Sequence, residues 1–123
     1  MAARFIKIAA VYFVIGVSMG LYMSMVHAYT LTSAHAHVNL LGWVSLAIFG
    51  CIYSLFPQAA NSKLAKVHFW IYNIFLPIMM IGLVLVLSGM EAMVPFVAAG
   101  GVLLVISVIL FAINIFANVK SVP

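Results

Sequence analysis

Apolar residues fall into four long stretches separated by short polar breaks. They run from Phe5 to His27, Ala34 to Phe56, Val67 to Leu87 and Pro95 to Val119. A helix rising 1.5 Å per residue needs about 20 residues to cross the hydrocarbon core, and each stretch is long enough. Runs such as Ile81-Gly82-Leu83-Val84-Leu85-Val86-Leu87 lack the alternation of a membrane β-strand. Backbone groups in lipid must pair within their own segment, so each stretch is predicted to be a helix. The breaks carry matching local chemistry. Ser33 is placed to cap the second helix, Pro57 to end it, and Asn61-Ser62-Lys63 to make a polar turn. Gly89 suits a helix C-terminal stop, and Pro95 suits a first helical turn. The expected fold is all-α: one four-helix transmembrane domain over residues 1–123, with no linker or second domain.

Composition strengthens this reading. The chain is 68% hydrophobic and 5% charged, against about 25% charged in a soluble domain. That excludes a water-soluble globule and a nucleic-acid-binding surface. The few charges are sorted. Arg4 and Lys7 flank the start of the first stretch, Lys63 and Lys66 lie between the second and third, and Lys120 follows the fourth. Glu91 falls in the opposite set of loops. The positive-inside rule then predicts an integral protein of a bacterial inner membrane with both termini cytoplasmic. Arg4, Lys7 and the apolar run before Val26-His27-Ala28 also suggest a cleavable leader. The run exceeds the usual 7–15 residues, so it is read as a membrane helix. The single cysteine, Cys51, excludes an intramolecular disulfide and is expected to be a small buried hydrophobe.

An imidazole inside a membrane span is a functional candidate by default. His27, His35 and His37 lie toward the outer face, and His68 lies toward the inner one. His35 and His37 are two residues apart, which turns them roughly 200° from each other on a helix. They cannot grip one ion together; a shared face needs a spacing of four. Opposite faces suit two separate cofactors, one on each side, and Ala34 and Ala36 leave room for something large and flat. The plain alternative is that both imidazoles bond to backbone or water. His27 is a weaker third candidate ligand. Lys66, Trp70 and Tyr72 around His68 look like an interfacial belt, so His68 is expected to be structural.

The same residues carry a family resemblance. Ala34-His35-Ala36-His37, then Gly50 thirteen residues after His37, then Phe56-Pro57, resembles the tenth helix of subunit I of the heme-copper oxidases. Lys66-Val67-His68-Phe69-Trp70, with Gly82-Leu83 and Leu87-Ser88-Gly89-Met90, is similar to the eleventh. His37-Val38-Asn39-Leu40-Leu41 resembles a motif in the second helix of nitric oxide reductases. The resemblance covers residues 34–90.

The resemblance implies that His35 and His37 are axial ligands of separate b-type hemes, held noncovalently, and that His68 is no heme ligand. Trp43, below His37, is placed either to touch a porphyrin or to pack between helices. The family's copper-centre histidines and propionate-binding arginines have no counterpart here; Met90 is followed by Glu91, Ala92 and Met93. An oxidoreductase-like heme protein is implied, not a stand-alone oxygen-reducing proton pump. The family's subunit I is a ring of three four-helix arcs, and this chain supplies one arc. A homotrimer would rebuild the ring with true threefold symmetry. Each heme could then take His35 from one subunit and His37 from the next. Two imidazoles per iron suit electron transfer with a membrane quinol or a periplasmic redox partner. Three alternatives remain: a heme reactive toward nitric oxide or oxygen, a purely structural subunit, and a copper-handling protein. The last rests on Met19, Met23, Met25, His27, Met90 and Met93, because thioethers favour Cu(I).

Overall fold

The structure, a computed structural model, describes residues 1–121. Four helical spans long and apolar enough to cross a membrane cover Ala2–Val26, Tyr29–Leu55, Lys63–Leu87 and Glu91–Asn118. The chain is an all-α, four-span transmembrane protein. Alternating span directions gather Arg4, Lys7, Lys63, Lys66 and Lys120 at one end of the bundle, the basic end. His27, His35, His37 and Glu91 lie toward the other, the histidine end.

The first span stops where His27 adopts a left-handed conformation, φ 55°. The second span is compound. A 3-10 turn, Tyr29–Leu31, leads into an α-helical turn, Thr32–His37; a π-helical segment, Val38–Val44, follows, and then α-helix, Ser45–Leu55. Ser33 does not cap this span as the sequence suggested. The helix has already begun, and the Thr32 hydroxyl donates to the Tyr29 carbonyl at 2.6 Å. The third span starts at Lys63, ahead of the expected Val67, because the Ser62 hydroxyl accepts from the Ala65 N–H at 3.1 Å. Gly89 follows that span at φ 103°, where a side chain would be strained. Pro95 occupies the first turn of the α-helix Val94–Asn118, as anticipated.

Small residues set how closely the spans approach. A Cβ on Gly16 would lie 2.5 Å from the Asn39 amide oxygen, and one on Gly42 would lie 2.6 Å from the Tyr12 ring. The first two spans therefore form a tight hairpin, as lipid-embedded helices do when small residues face each other. The last two form another, where Gly100 lies against Met79. The hairpins meet along the second and third spans, which make a central pair. Two troughs result, one beside the first span and one beside the fourth.

Aromatic rings fill both troughs in the basic half. Phe5 of the first span has its ring centroid 5.0 Å from Phe69 and 5.3 Å from His68. Phe111 of the fourth span lies 4.6 Å from Phe49 and 5.1 Å from His68. His68 is wholly buried between them, its Nδ1 2.9 Å from the Tyr53 hydroxyl. Asn114 donates to the Ala59 carbonyl at 3.0 Å and accepts from Ser62 and Asn118 at 3.0 and 2.7 Å. Asn114 also donates to the Tyr53 hydroxyl at 3.4 Å, so the network joins three spans and the connecting turn.

Two local expectations need correction. His68 and Tyr72 are buried, while Lys66 and Trp70 are exposed, so these residues do not form one interfacial belt. Residues 65, 68, 69, 72 and 76 trace the stripe that faces the other spans. Cys51 is exposed, because it falls off the buried stripe of Leu46, Phe49, Gly50 and Tyr53.

Candidate functional site

His35 and His37 occupy the last α-helical turn before the second span widens into its π-helical segment. Their side chains diverge, as the two-residue spacing requires. His37 Nδ1 is 2.7 Å from the Ser33 carbonyl. A carbonyl only accepts, so Nδ1 carries the proton and Nε2 keeps a free lone pair. That is the arrangement by which proteins orient a metal-binding imidazole. His37 lines an apolar groove of about 340 Å³ in the trough between the second, third and fourth spans. Leu41, Tyr72, Met79, Gly101 and Leu104 line it as well. Gly101 keeps the wall thin, since a Cβ there would meet only the Met79 sulfur, at 3.8 Å.

His35 faces the first span. Its Nε2 lies 2.9 Å from where a Cβ on Gly20 would sit. Any larger residue at position 20 would displace the imidazole. One turn on, Asn39 donates to the His35 carbonyl at 2.8 Å and rests on Gly16. In this conformation the Nε2 tip meets the first span, so His35 could hold a cofactor's metal only with its ring swung away from Gly20. Ala34 is buried and Ala36 is exposed. Open space therefore flanks the pair on one side only.

The π-helical segment supplies what helical spacing alone could not show. In its wider turns carbonyls are freed for side-chain donors. Tyr72 donates to the Leu41 carbonyl at 2.8 Å and Ser45 to the Leu40 carbonyl at 2.7 Å. Single π-turns recur at functional sites. Trp43 lies in this segment and packs on Phe13, ring centroids 4.5 Å apart. His27 is exposed, 2.9 Å from the Tyr29 hydroxyl, and joins neither neighbouring histidine. Among the described residues no three of His, Cys, Asp and Glu come together as a metal site. The roles of Gly16 and Gly20 were missed, although their four-residue spacing is the known close-packing pattern of membrane helices.

One curated relative was found by sequence. It is the cytochrome c oxidase subunit 1 homolog, bacteroid, of Bradyrhizobium diazoefficiens, 31% identical over an alignment of 134 residues. The alignment covers 79% of this chain and 23% of the relative, so the chain spans under a quarter of that protein's length. No family model matches the chain. No solved structure matches it. The similarity relates this four-span membrane protein to the heme-copper oxidases.

Proposed function

We propose that the protein is a heme-binding membrane cytochrome that carries electrons, with His37 as an axial ligand of a b-type heme. The observation that carries this reading is the fixed tautomer of His37, whose lone pair sits in an apolar groove. The groove suits a flat, largely apolar group, because its lining apart from His37 and Tyr72 is aliphatic or small and Gly101 leaves open space in its wall. When bound, heme supplies one-electron chemistry. His37 fixes its position, Ser33 fixes the imidazole, and the aliphatic wall excludes water. Similarity to an oxidase subunit 1 homolog supports the same cofactor class.

The second axial ligand is proposed to be His35 of a neighbouring copy, in a homotrimer built around the threefold axis of an oxidase-like ring. Both termini are proposed to face the cytoplasm, with the hemes within reach of a quinol or a periplasmic partner. The test is the visible spectrum of the purified protein. Two histidine ligands give sharp heme b bands on reduction and little change with carbon monoxide. His37→Ala should abolish the bands in protein that still elutes as a folded species. A colourless wild-type protein would sink the reading. A large carbon monoxide response would favour a gas-reactive heme.

A further inference from the structure

A second groove, of about 570 Å³, lies in the other trough, between the first and third spans. We propose that it is a binding site for one anionic phospholipid, with an acyl chain in the groove and the headgroup at its basic end. Ile8, Val11 and Ile15 of the first span face Pro77, Ile81 and Val84 of the third across it, and the walls are almost wholly apolar. The groove is open along its side, with Val11 59% and Ile81 63% exposed. Residues 8 to 19 of the first span line it, a rise of roughly 17 Å, which is acyl-chain length.

Charge selects the occupant. Helical register places Arg4 one turn below Ile8 and Lys7 one turn below Val11, on the groove's own face of the first span. The Arg4 guanidinium carbon lies 4.9 Å from the centre of the Phe69 ring, so this side chain bridges from the first span to the third at the foot of the groove. Lys66 is three residues before Phe69, on the same side of the third span. Arg4 thus stands at the foot of the apolar trench with Lys7 and Lys66 at the same end of the bundle, and the only acidic residue, Glu91, is at the far end. Each basic residue near a headgroup favours an anionic lipid several-fold, so the site should prefer a negative phosphate ester over a zwitterion.

The test needs no heme. Detergent-purified protein is incubated with equal amounts of phosphatidylglycerol and phosphatidylcholine of the same acyl composition, and retained lipid is counted by native mass spectrometry. Wild type should retain phosphatidylglycerol with a preference of about tenfold. Arg4→Gln with Lys66→Gln should reduce the preference to about twofold or less. Lys63→Gln with Lys120→Gln removes equal charge away from the groove and should leave the preference intact. Ile81→Trp fills the groove from an exposed position and should reduce retention of both lipids. Phosphatidylglycerol with six-carbon chains should not be retained by wild type, a comparison that needs no variant. Equal losses in the two double variants would reduce the effect to general surface charge and overturn the proposal. So would strong retention of the six-carbon lipid. A change of oligomeric state on Ile81→Trp without loss of lipid would show that a second copy covers the groove, and would overturn it too.

Discussion

His37 and His68 show how two histidines in one membrane protein come to differ. His37 gives one nitrogen to Ser33 and keeps the other free at a groove, while His68 is sealed in aromatic rings with Nδ1 against Tyr53. The His68 Nε2 has no hydrogen-bond partner. It is caged by Phe5, Phe49 and Phe111, so there is no space beside it for a cofactor. His68→Ala should therefore leave heme content unchanged and lower stability. The lost packing and the Tyr53 hydroxyl, left with only the Asn114 amide at 3.4 Å, together cost about 2–4 kcal/mol. Absorbance per protein and thermal unfolding in detergent read the two effects separately. Loss of heme from a folded His68→Ala protein would refute the separation of the two sites.

At the scale of elements, the tight hairpin of the first two spans holds His35 against Gly20. Gly42 lets the Tyr12 ring lie flat on the second span, and Gly16 seats Asn39. Gly42→Leu should force the spans apart and destabilise the protein by about 1–3 kcal/mol, since the Tyr12 ring and its Cβ already stand 2.6 to 2.8 Å from the new Cβ. Gly101→Ala, where the nearest atom is 3.8 Å from the new Cβ, should be close to neutral. Thermal unfolding of the two variants makes the comparison. The number of the spans was legible in hydropathy, because length and apolarity decide it; their starts were not, since the Ser62 cap and the 3-10 turns at Tyr29–Leu31 and Glu91–Met93 extend the helices into polar sequence. The divergence of His35 and His37 was legible in helical geometry. The π-helical segment was not, since its carbonyls are claimed by Ser45 and by Tyr72 from another span. The burial of His68 was hidden for a similar reason: its neighbours Lys66 and Trp70 look interfacial, and only the docking of Phe5 and Phe111 encloses it. Cys51 shows the reverse error, because in lipid an apolar environment does not imply burial.

The whole molecule is two hairpins around a central pair of spans, with one groove on each flank. A single chain offers His37 to one groove while His35 faces elsewhere, so a two-histidine heme needs a second chain. The proposed trimer makes a sharp prediction for mixed assemblies. His35→Ala and His37→Ala proteins should each lack heme with two histidine ligands. Co-expressed at equal levels, they should regain roughly a quarter of the wild-type signal, because each junction in a closed ring is then intact about one time in four. The reduced-minus-oxidised heme b spectrum of sized trimers gives the answer. No recovery in well-mixed trimers would rule out ligand sharing.

The widened turn at Val38–Val44 is, in hereditary terms, a one-residue insertion carried inside a helix. Its consequence is best seen by removing it. Deleting Leu40 would let the span close into a regular α-helix while the segments on either side keep nearly the same register, because a wide turn absorbs its extra residue. The carbonyls that now accept from Tyr72 and Ser45 would return to the helix's own ladder. The buried Tyr72 hydroxyl would lose its partner, so the shortened protein should be less stable than wild type by about 1–3 kcal/mol in thermal unfolding. Point substitutions of the exposed Leu40 should leave the unfolding temperature alone. The irregular turn is thus expected to act as a fastening between spans, one that a more perfect helix would undo.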